Sequence, residues 1–274
     1  MTEPAPWSDF NAFEAAGWER AAAGYDAFLG PIARQFDTSL LDASGITAGR
    51  DLLEIGCGAA HLAAQAAARG ARSAGIDVAD SMLQLARTAH PEINTHLGSA
   101  EDLPFPDHRF DAVVGHLVIL HLSRPELAAA EAFRVLRPGG LLVLSTWDLP
   151  VRNRFLGIML EALDEAGAVP PSIPQGPPFF HYADDGHFIG LFRTAGFVDV
   201  SIHRLATTRS VPSSASLWNG LVDSTVRTAA TLSSQPAEIR ERALSALQQR
   251  IEPYATDDRY ELPVSIKLAS GRRP

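Results

Sequence analysis

The chain has 274 residues, 46% apolar and 20% charged, enough to bury a single-domain core and carry a modest cap. Its formal charge is −9, and Lys267 is the one lysine beside 22 arginines, so it lacks the clustered basic footprint that nucleic acids and other polyphosphates require. Cys57 is the single cysteine, which excludes an intrachain disulfide and a Cys-cluster metal site; no run reaches the roughly 18 apolar residues of a membrane span, and no basic-apolar-small leader opens the chain, so a soluble cytoplasmic protein is expected.

Residues 7 to 40 carry Trp7, Phe10, Phe13, Trp18, Tyr25, Phe28, Ile32 and Phe36, spaced for one or more amphipathic helices with an aromatic face. Such a face must cover something; for Phe28 and Phe36 packing against the core suffices. From 51 to 147, strands near 51–56, 72–77, 93–97, 110–115 and 141–147 alternate with helices at 59–69, 80–89 and 125–136. That alternation predicts an α/β fold with parallel strands and right-handed crossovers. Pro138-Gly139-Gly140 reads as a helix stop and a turn into the fifth strand.

Chemistry enters at the first strand. Leu52-Leu53-Glu54-Ile55 is short and apolar, suited to a strand buried on both faces, and the alanine-rich stretch after Gly58 is a strong helix former. Gly56 and Gly58 then occupy a tight strand-to-helix turn, flanking Cys57, where the missing Cβ permits positive φ and lets a ligand approach the backbone. The second strand ends at Asp77, beside the first, where a carboxylate can accept both hydroxyls of a ribose or merely cap the next helix. A dinucleotide site would need a third glycine above its pyrophosphate, and that position holds His61. S-adenosylmethionine has no pyrophosphate and needs only the open turn. Glu54 has two readings, a partner for a cationic amino group or a buried acceptor for the turn's N–H groups.

Beyond Trp147 the alternation stops. Residues 148–183 combine a helix candidate (Phe155, Leu156, Ile158, Met159, Leu160, Leu163) with a proline-rich loop ending in Phe179-Phe180-His181-Tyr182. A helix over 185–195 and strands near 198–209 and 260–269 complete the core. Residues 212–258 form a second insertion with two helices, one carrying Leu217, Trp218, Leu221, Val222 and Val226 and the other opened by Pro236.

Five segments taken in order, Leu53-Glu54-Ile55-Gly56-Cys57-Gly58, Gly75-Ile76-Asp77, Gly98-Ser99-Ala100-Glu101-Asp102-Leu103-Pro104-Phe105, Phe110-Asp111-Ala112-Val113-Val114 and Arg134-Val135-Leu136-Arg137-Pro138-Gly139-Gly140, resemble the ordered motifs of class I S-adenosylmethionine-dependent methyltransferases, within that superfamily most closely the ubiquinone/menaquinone-type small-molecule branch. The resemblance implies a Rossmann-like, doubly wound, seven-stranded, mostly parallel sheet with helical lid insertions. It divides one domain into an N-terminal helical lid (1–45), a cofactor-binding core (46–147), two substrate-cap insertions (148–183 and 212–258) and two stretches that complete the sheet (184–211 and 259–274). It also implies S-adenosyl-L-methionine as the cofactor, bound by Glu54, Gly56, Cys57, Gly58, Asp77, Val78 and Met82, by Ser99, Ala100 and Glu101 at the adenine edge, by His116 near the methionine end, and by Trp18 and Tyr25 from the N-terminal helices.

The fourth strand leads into Gly115-His116-Leu117-Val118-Ile119-Leu120-His121, beside the crevice where a doubly wound sheet binds ligands. The segment lacks the Asn/Asp-Pro-Pro-Tyr expected for methylation of a planar amine. His121 and His116 are the candidate bases for removing a proton from a hydroxyl or carbon acid, against the alternative that His121 packs or caps. Two insertions on the carboxyl side of the sheet would roof the site with Phe155, Met159, Phe179, Phe180, His181, Tyr182 and Trp218 facing an apolar substrate. The expectation is methyl transfer to a hydroxyl or activated carbon of a small hydrophobic metabolite, by a monomer or homodimer without metal or nucleic acid. The alternative is a methyltransferase-like scaffold that binds the cofactor and catalyses a cyclisation or rearrangement.

Overall fold

The computed structural model describes residues 8–274, so Trp7 lies outside the described residues. The N-terminal stripe forms α1 (Ser8–Phe28), α2 (Gly30–Ala33), a 3-10 turn (Arg34–Phe36) and α3 (Asp37–Ala43). Then follow β1 (Asp51–Ile55), α4 (His61–Ala68), β2 (Arg72–Asp77), α5 (Asp80–Ala89), β3 (Asn94–Leu97), β4 (Phe110–Gly115), a 3-10 turn (Ile119–His121), α6 (Pro125–Val135) and β5 (Leu136–Trp147). The remainder is α7 (Arg154–Glu165), a 3-10 turn (His181–Ala183), α8 (Asp185–Thr194), β6 (Val198–Val211), α9 (Ser214–Ser224), α10 (Arg227–Ser234), α11 (Ala237–Ile251), a 3-10 turn (Glu252–Tyr254) and β7 (Tyr260–Arg272).

The seven strands lie in the order β3-β2-β1-β4-β5-β7-β6. The first five pair in parallel, and β7 runs antiparallel between β5 and β6. Because strand side chains alternate, Leu52 and Val143 face one apolar layer while Leu53, Ile55 and Val113 face the other. That two-sided burial is why β1 is apolar throughout apart from its two acids. The strand order reverses between β1 and β4, which opens a crevice above their carboxyl ends. At the opposite end Asp51 accepts from Arg72 and also faces Arg109 and Arg137; these guanidiniums hold its carboxyl well below the usual carboxylate range. Asp51 is a staple for the sheet, remote from the crevice.

Three local features differ from expectation. Helix α4 starts at His61 rather than 59, because Gly56, Gly58 and Ala60 all adopt positive φ (62°, 51° and 58°) and hold the turn open for two more residues. Strand β5 begins at Leu136, paired with Phe110, and its register shifts before Leu141 pairs with Ala112, so the Pro-Gly-Gly segment is a bulge within the strand. The second insertion holds three helices, because Thr225 adopts extended geometry between α9 and α10.

Close approach sets the position of α1 over the sheet. A Cβ on Gly17 would come within 2.3 Å of Val226, and one on Gly24 within 2.1 Å of the Asp223 carbonyl. The two glycines thus let α1 lie directly against the end of α9, which roofs the crevice.

Candidate active site

A cavity of about 310 Å³ lies over the carboxyl ends of β2, β1 and β4 under α1 and the start of α10. Adjacent strands are about 4.8 Å apart, so these three ends span about 10 Å and suit an extended ligand laid across them. On the β2 side the wall carries Asp77, Val78, Met82, Ser99 and Ala100; Glu54, Gly56, Cys57 and Gly58 lie in the middle; and His116, Leu117 and His121 lie on the β4 side. Trp18, Tyr25, Phe179 and Arg227 close the top.

The turn is built around its acids. Gly58 N–H donates to Asp77 Oδ2 at 2.8 Å, and Ala79 N–H donates to Oδ1 at 3.0 Å. Ala63 N–H donates to Glu54 Oε2 at 2.9 Å, which places Glu54 as an acceptor for the α4 N-terminus while leaving it on the cavity wall. A Cβ at Gly56 would meet Val118 at 2.4 Å. Cys57 turns its side chain beneath Gly75, and burial pushes its thiol up, so it fills space as an unreactive thiol. Asp37, which sequence reasoning missed, joins this group; it accepts from Gln65 at 2.8 Å. Burial raises the carboxyls of Glu54 and Asp77 and pushes Asp37 up to about 7. The cavity's two arginines are both committed, Arg34 to Asp26 and Arg227 to Glu14, so Asp37, Glu54 and Asp77 have no ion-paired cation among the described residues. A cationic ligand is favoured there, and a pyrophosphate is not.

His116 and His121 diverge. His116 is wholly committed: its Nε2 donates to the Ala33 carbonyl at 3.1 Å, and its Nδ1 accepts from Ser145 Oγ at 2.6 Å, an oxygen that itself accepts Leu117 N–H. Burial pushes its imidazole down to about 4. The expectation of a catalytic His116 is therefore corrected: it is a neutral tie between β4, β5 and α2, with neither nitrogen free to take a proton.

His121 has a different setting. Its Nδ1 donates to Glu14 Oε2 at 3.0 Å, while Nε2 has no hydrogen-bond partner among the described residues and the ring lines the cavity. The Trp18 ring meets it edge-on at 4.8 Å and Phe179 at 6.1 Å. Glu14 is itself 3% exposed, with Oε1 lying 3.1 Å from Arg227 Nε. A buried carboxylate on one imidazole nitrogen fixes the tautomer and ring orientation, leaving the other nitrogen as acceptor. Sequence reasoning missed both Glu14 and Arg227. The signal for Glu14 was a carboxylate four residues from Phe10 and four from Trp18, on the apolar face of α1.

The remaining candidates divide. Phe179 lines the main cavity, and Met159, Phe179 and Phe180 line a second, adjoining one. Phe155 and Trp218 pack in the apolar core instead, because the faces of α7 and α9 that carry them turn toward the sheet layer. Tyr182 packs on Phe188 in the other layer, and His181 stacks at 4.1 Å on His187. None of these four lines either cavity. Ser99 and Ala100 are on the wall, but Glu101 is not: it accepts from Asn11, Ser123 and the Arg124 N–H, anchoring α1 to the start of α6. Among the described residues no group of three or more His, Cys, Asp or Glu is placed to hold a metal ion, and no helix is long and apolar enough to cross a membrane.

Residues 53–144 match the family model described as a methyltransferase domain. Malonyl-[acyl-carrier protein] O-methyltransferase of Serratia marcescens is 35% identical over 132 residues, covering 48% of this chain and 51% of that protein. Demethylmenaquinone methyltransferase of Tropheryma whipplei (strain Twist) is 37% identical over 111 residues, covering 39% and 46%. The chain thus spans about half the length of these curated relatives. Among solved structures, the YcgJ protein from Bacillus subtilis shares the fold with a TM-score of 0.58 at 17% identity, over 88% of this chain and 98% of that one. Residues 53–144, which carry the open glycine turn and the acid closing β2, are thus similar to a methyltransferase domain, and the strand order is that of the class I S-adenosylmethionine-dependent methyltransferase fold.

Proposed function

We propose that the chain methylates an acidic hydroxyl, or an enolisable carbon, of a small and largely apolar molecule. The observation that carries this reading is the Glu14–His121 pair at the β4 end of the cavity, with Nε2 left as an acceptor. In this reading Asp77 holds the ribose, Val78, Met82, Ser99 and Ala100 enclose the base, and the unpaired acids Glu54 and Asp37 favour the cationic aminoacyl and sulfonium end. S-adenosylmethionine supplies the electrophilic methyl carbon, whose bond to sulfur breaks with the electron pair left on sulfur. The protein's part is alignment and exclusion of water by Trp18, Tyr25 and Phe179, with His121 Nε2 taking the acceptor's proton as its oxygen or carbon bonds to the methyl group. A cyclisation in the same cavity is the second reading, supported by the apolar walls alone.

The test is calorimetric titration with S-adenosylmethionine and S-adenosylhomocysteine, then incubation with methyl-labelled S-adenosylmethionine and a panel of phenols, naphthols and hydroxyquinones. Binding with label in an extracted product supports methyl transfer; tight binding with an unlabelled rearranged product would favour the cyclisation, and no binding would overturn both.

The acids also set a pH dependence. Asp37 is raised from 3.8 to about 7, so between those values the folded chain holds a proton that the unfolded chain has lost, and this group's contribution to ligand-free stability falls as pH rises through that window. A cationic ligand favours the ionised form, so its binding strengthens as pH rises through about 7. The thermal shift produced by saturating S-adenosylmethionine is expected to grow from pH 5.5 to 8.5, and to grow less for S-adenosylhomocysteine, which lacks the sulfonium charge. A shift that is flat or shrinks with pH would show that these acids do not face the ligand's cation.

A further inference from the structure

A second cavity of about 140 Å³ adjoins the first and shares Leu156, Phe179, Arg227 and Thr228 with it. It lies between α7, α9 and α10, with apolar walls from Met159, Leu163, Phe180 and Leu221, and Leu160 at 37% exposure marks its outer rim. Phe179 connects it to the proposed chemistry: this ring is 6.1 Å from the His121 ring and 5.0 Å from Phe180. The second cavity therefore begins one aromatic ring away from His121.

Among the described residues, the one cation in this wall is already spent. Arg227 donates to the Pro177 carbonyl at 2.9 Å and to the Leu120 carbonyl, faces Glu14 through Nε, and lies 4.9 Å from the Phe179 ring centre. It offers no unengaged charge to an acceptor's carboxylate or phosphate. What remains is an apolar volume close to that of an engineered cavity of about 150 Å³ that takes one benzene molecule.

We propose that the second cavity is the pocket for an uncharged apolar arm of the methyl acceptor, an arm the size of one six-membered ring or a chain of about six carbons. This rests on the methyl-transfer reading. The acceptor is then a two-part molecule, with a hydroxyl- or enol-bearing head at His121 and a hydrophobic arm passing Phe179 to lie among Met159, Leu163 and Leu221. A charged arm is excluded by the committed Arg227, and a much larger rigid arm by the volume.

The test titrates protein saturated with S-adenosylhomocysteine against phenol, 4-ethylphenol, 4-butylphenol and 4-phenylphenol by calorimetry. Affinity should rise about threefold to fourfold per buried methylene along the alkyl series. Met159→Phe, and independently the less buried Thr231→Phe, should cut 4-butylphenol affinity by tenfold or more with S-adenosylhomocysteine affinity unchanged. Affinity independent of chain length, or a chain-length gain that survives both variants, would overturn the pocket. If S-adenosylhomocysteine itself fails to bind, the methyl-transfer reading falls separately. The series on ligand-free protein then decides the pocket by the same criteria.

Discussion

His121→Ala is expected to lower methyl transfer about a hundredfold while leaving S-adenosylhomocysteine affinity within about twofold, since positioned proton transfer contributes about 10² to 10⁴. The loss should depend on the acceptor. A phenol made acidic by a nitro group has less need of a base, so the ratio of wild-type to variant turnover should shrink along a series of increasingly acidic phenols. A ratio that stays constant along the series would assign His121 to packing against Trp18 and Phe179. Glu14 acts through His121, and Glu14→Gln is the informative change. Alanine would leave Arg227 without its carboxylate partner, and removing one member of a buried ion pair costs about 3–5 kcal/mol. Glutamine retains the size and one acceptor, its Oε1 for His121 Nδ1–H, while its amide NH₂ faces Arg227 Nε–H and the carboxylate charge is removed. The expected result is about tenfold slower turnover, with the same dependence on acceptor acidity and little change in KM. Thermal stability falls whichever role Glu14 has, because Arg227 loses its carboxylate; a merely structural Glu14 would leave the acidity dependence as in the wild type.

The core was legible because its signals are local. The strand segments β1, β2 and β4, each followed by a turn and a helix, leave little freedom in how the parallel part of the sheet is ordered, and the glycines at 56 and 58 mark where the backbone must take positive φ. Ala60 at φ 58° was not legible, since alanine gives no warning of a left-handed residue and its neighbours are strong helix formers. The roles of the two histidines were not legible either. His116 is tied to partners 29 and 83 residues away, and His121 gains Glu14 from 107 residues away; the ties to Ala33 and Glu14 exist only after the N-terminal helices have folded back over the sheet. The lid stripes failed for a further reason. Helices α7 and α9 pack on the sheet side and also border the second cavity, so the helical period identifies apolar residues without saying which boundary each faces. Hence Met159 borders a cavity while Phe155, one turn earlier, is wholly enclosed.

Asp77→Ala is expected to weaken S-adenosylhomocysteine binding by more than tenfold with the fold retained, and two physical effects contribute to that loss. The first is the lost acceptor for ribose hydroxyls; a hydrogen bond to a charged group contributes about 1.5–3 kcal/mol. The second is indirect, because Gly58 N–H and Ala79 N–H both donate to this carboxylate and would lose their partner. Stability moves less, since burial already raises the Asp77 carboxyl and its removal relieves that unfavourable burial. Asp77→Asn does not separate the two effects: its amide NH₂ would face either Gly58 N–H or Ala79 N–H, donor against donor. A ligand change does separate them. In the wild type, the 2′-deoxy analogue of S-adenosylhomocysteine should bind about tenfold more weakly than the parent, as expected for loss of about one such bond. In Asp77→Ala the two ligands should bind alike, because the deleted hydroxyl has already lost its acceptor. If the variant still discriminates between them by the wild-type factor, the ribose is held elsewhere and Asp77 serves only to shape the turn.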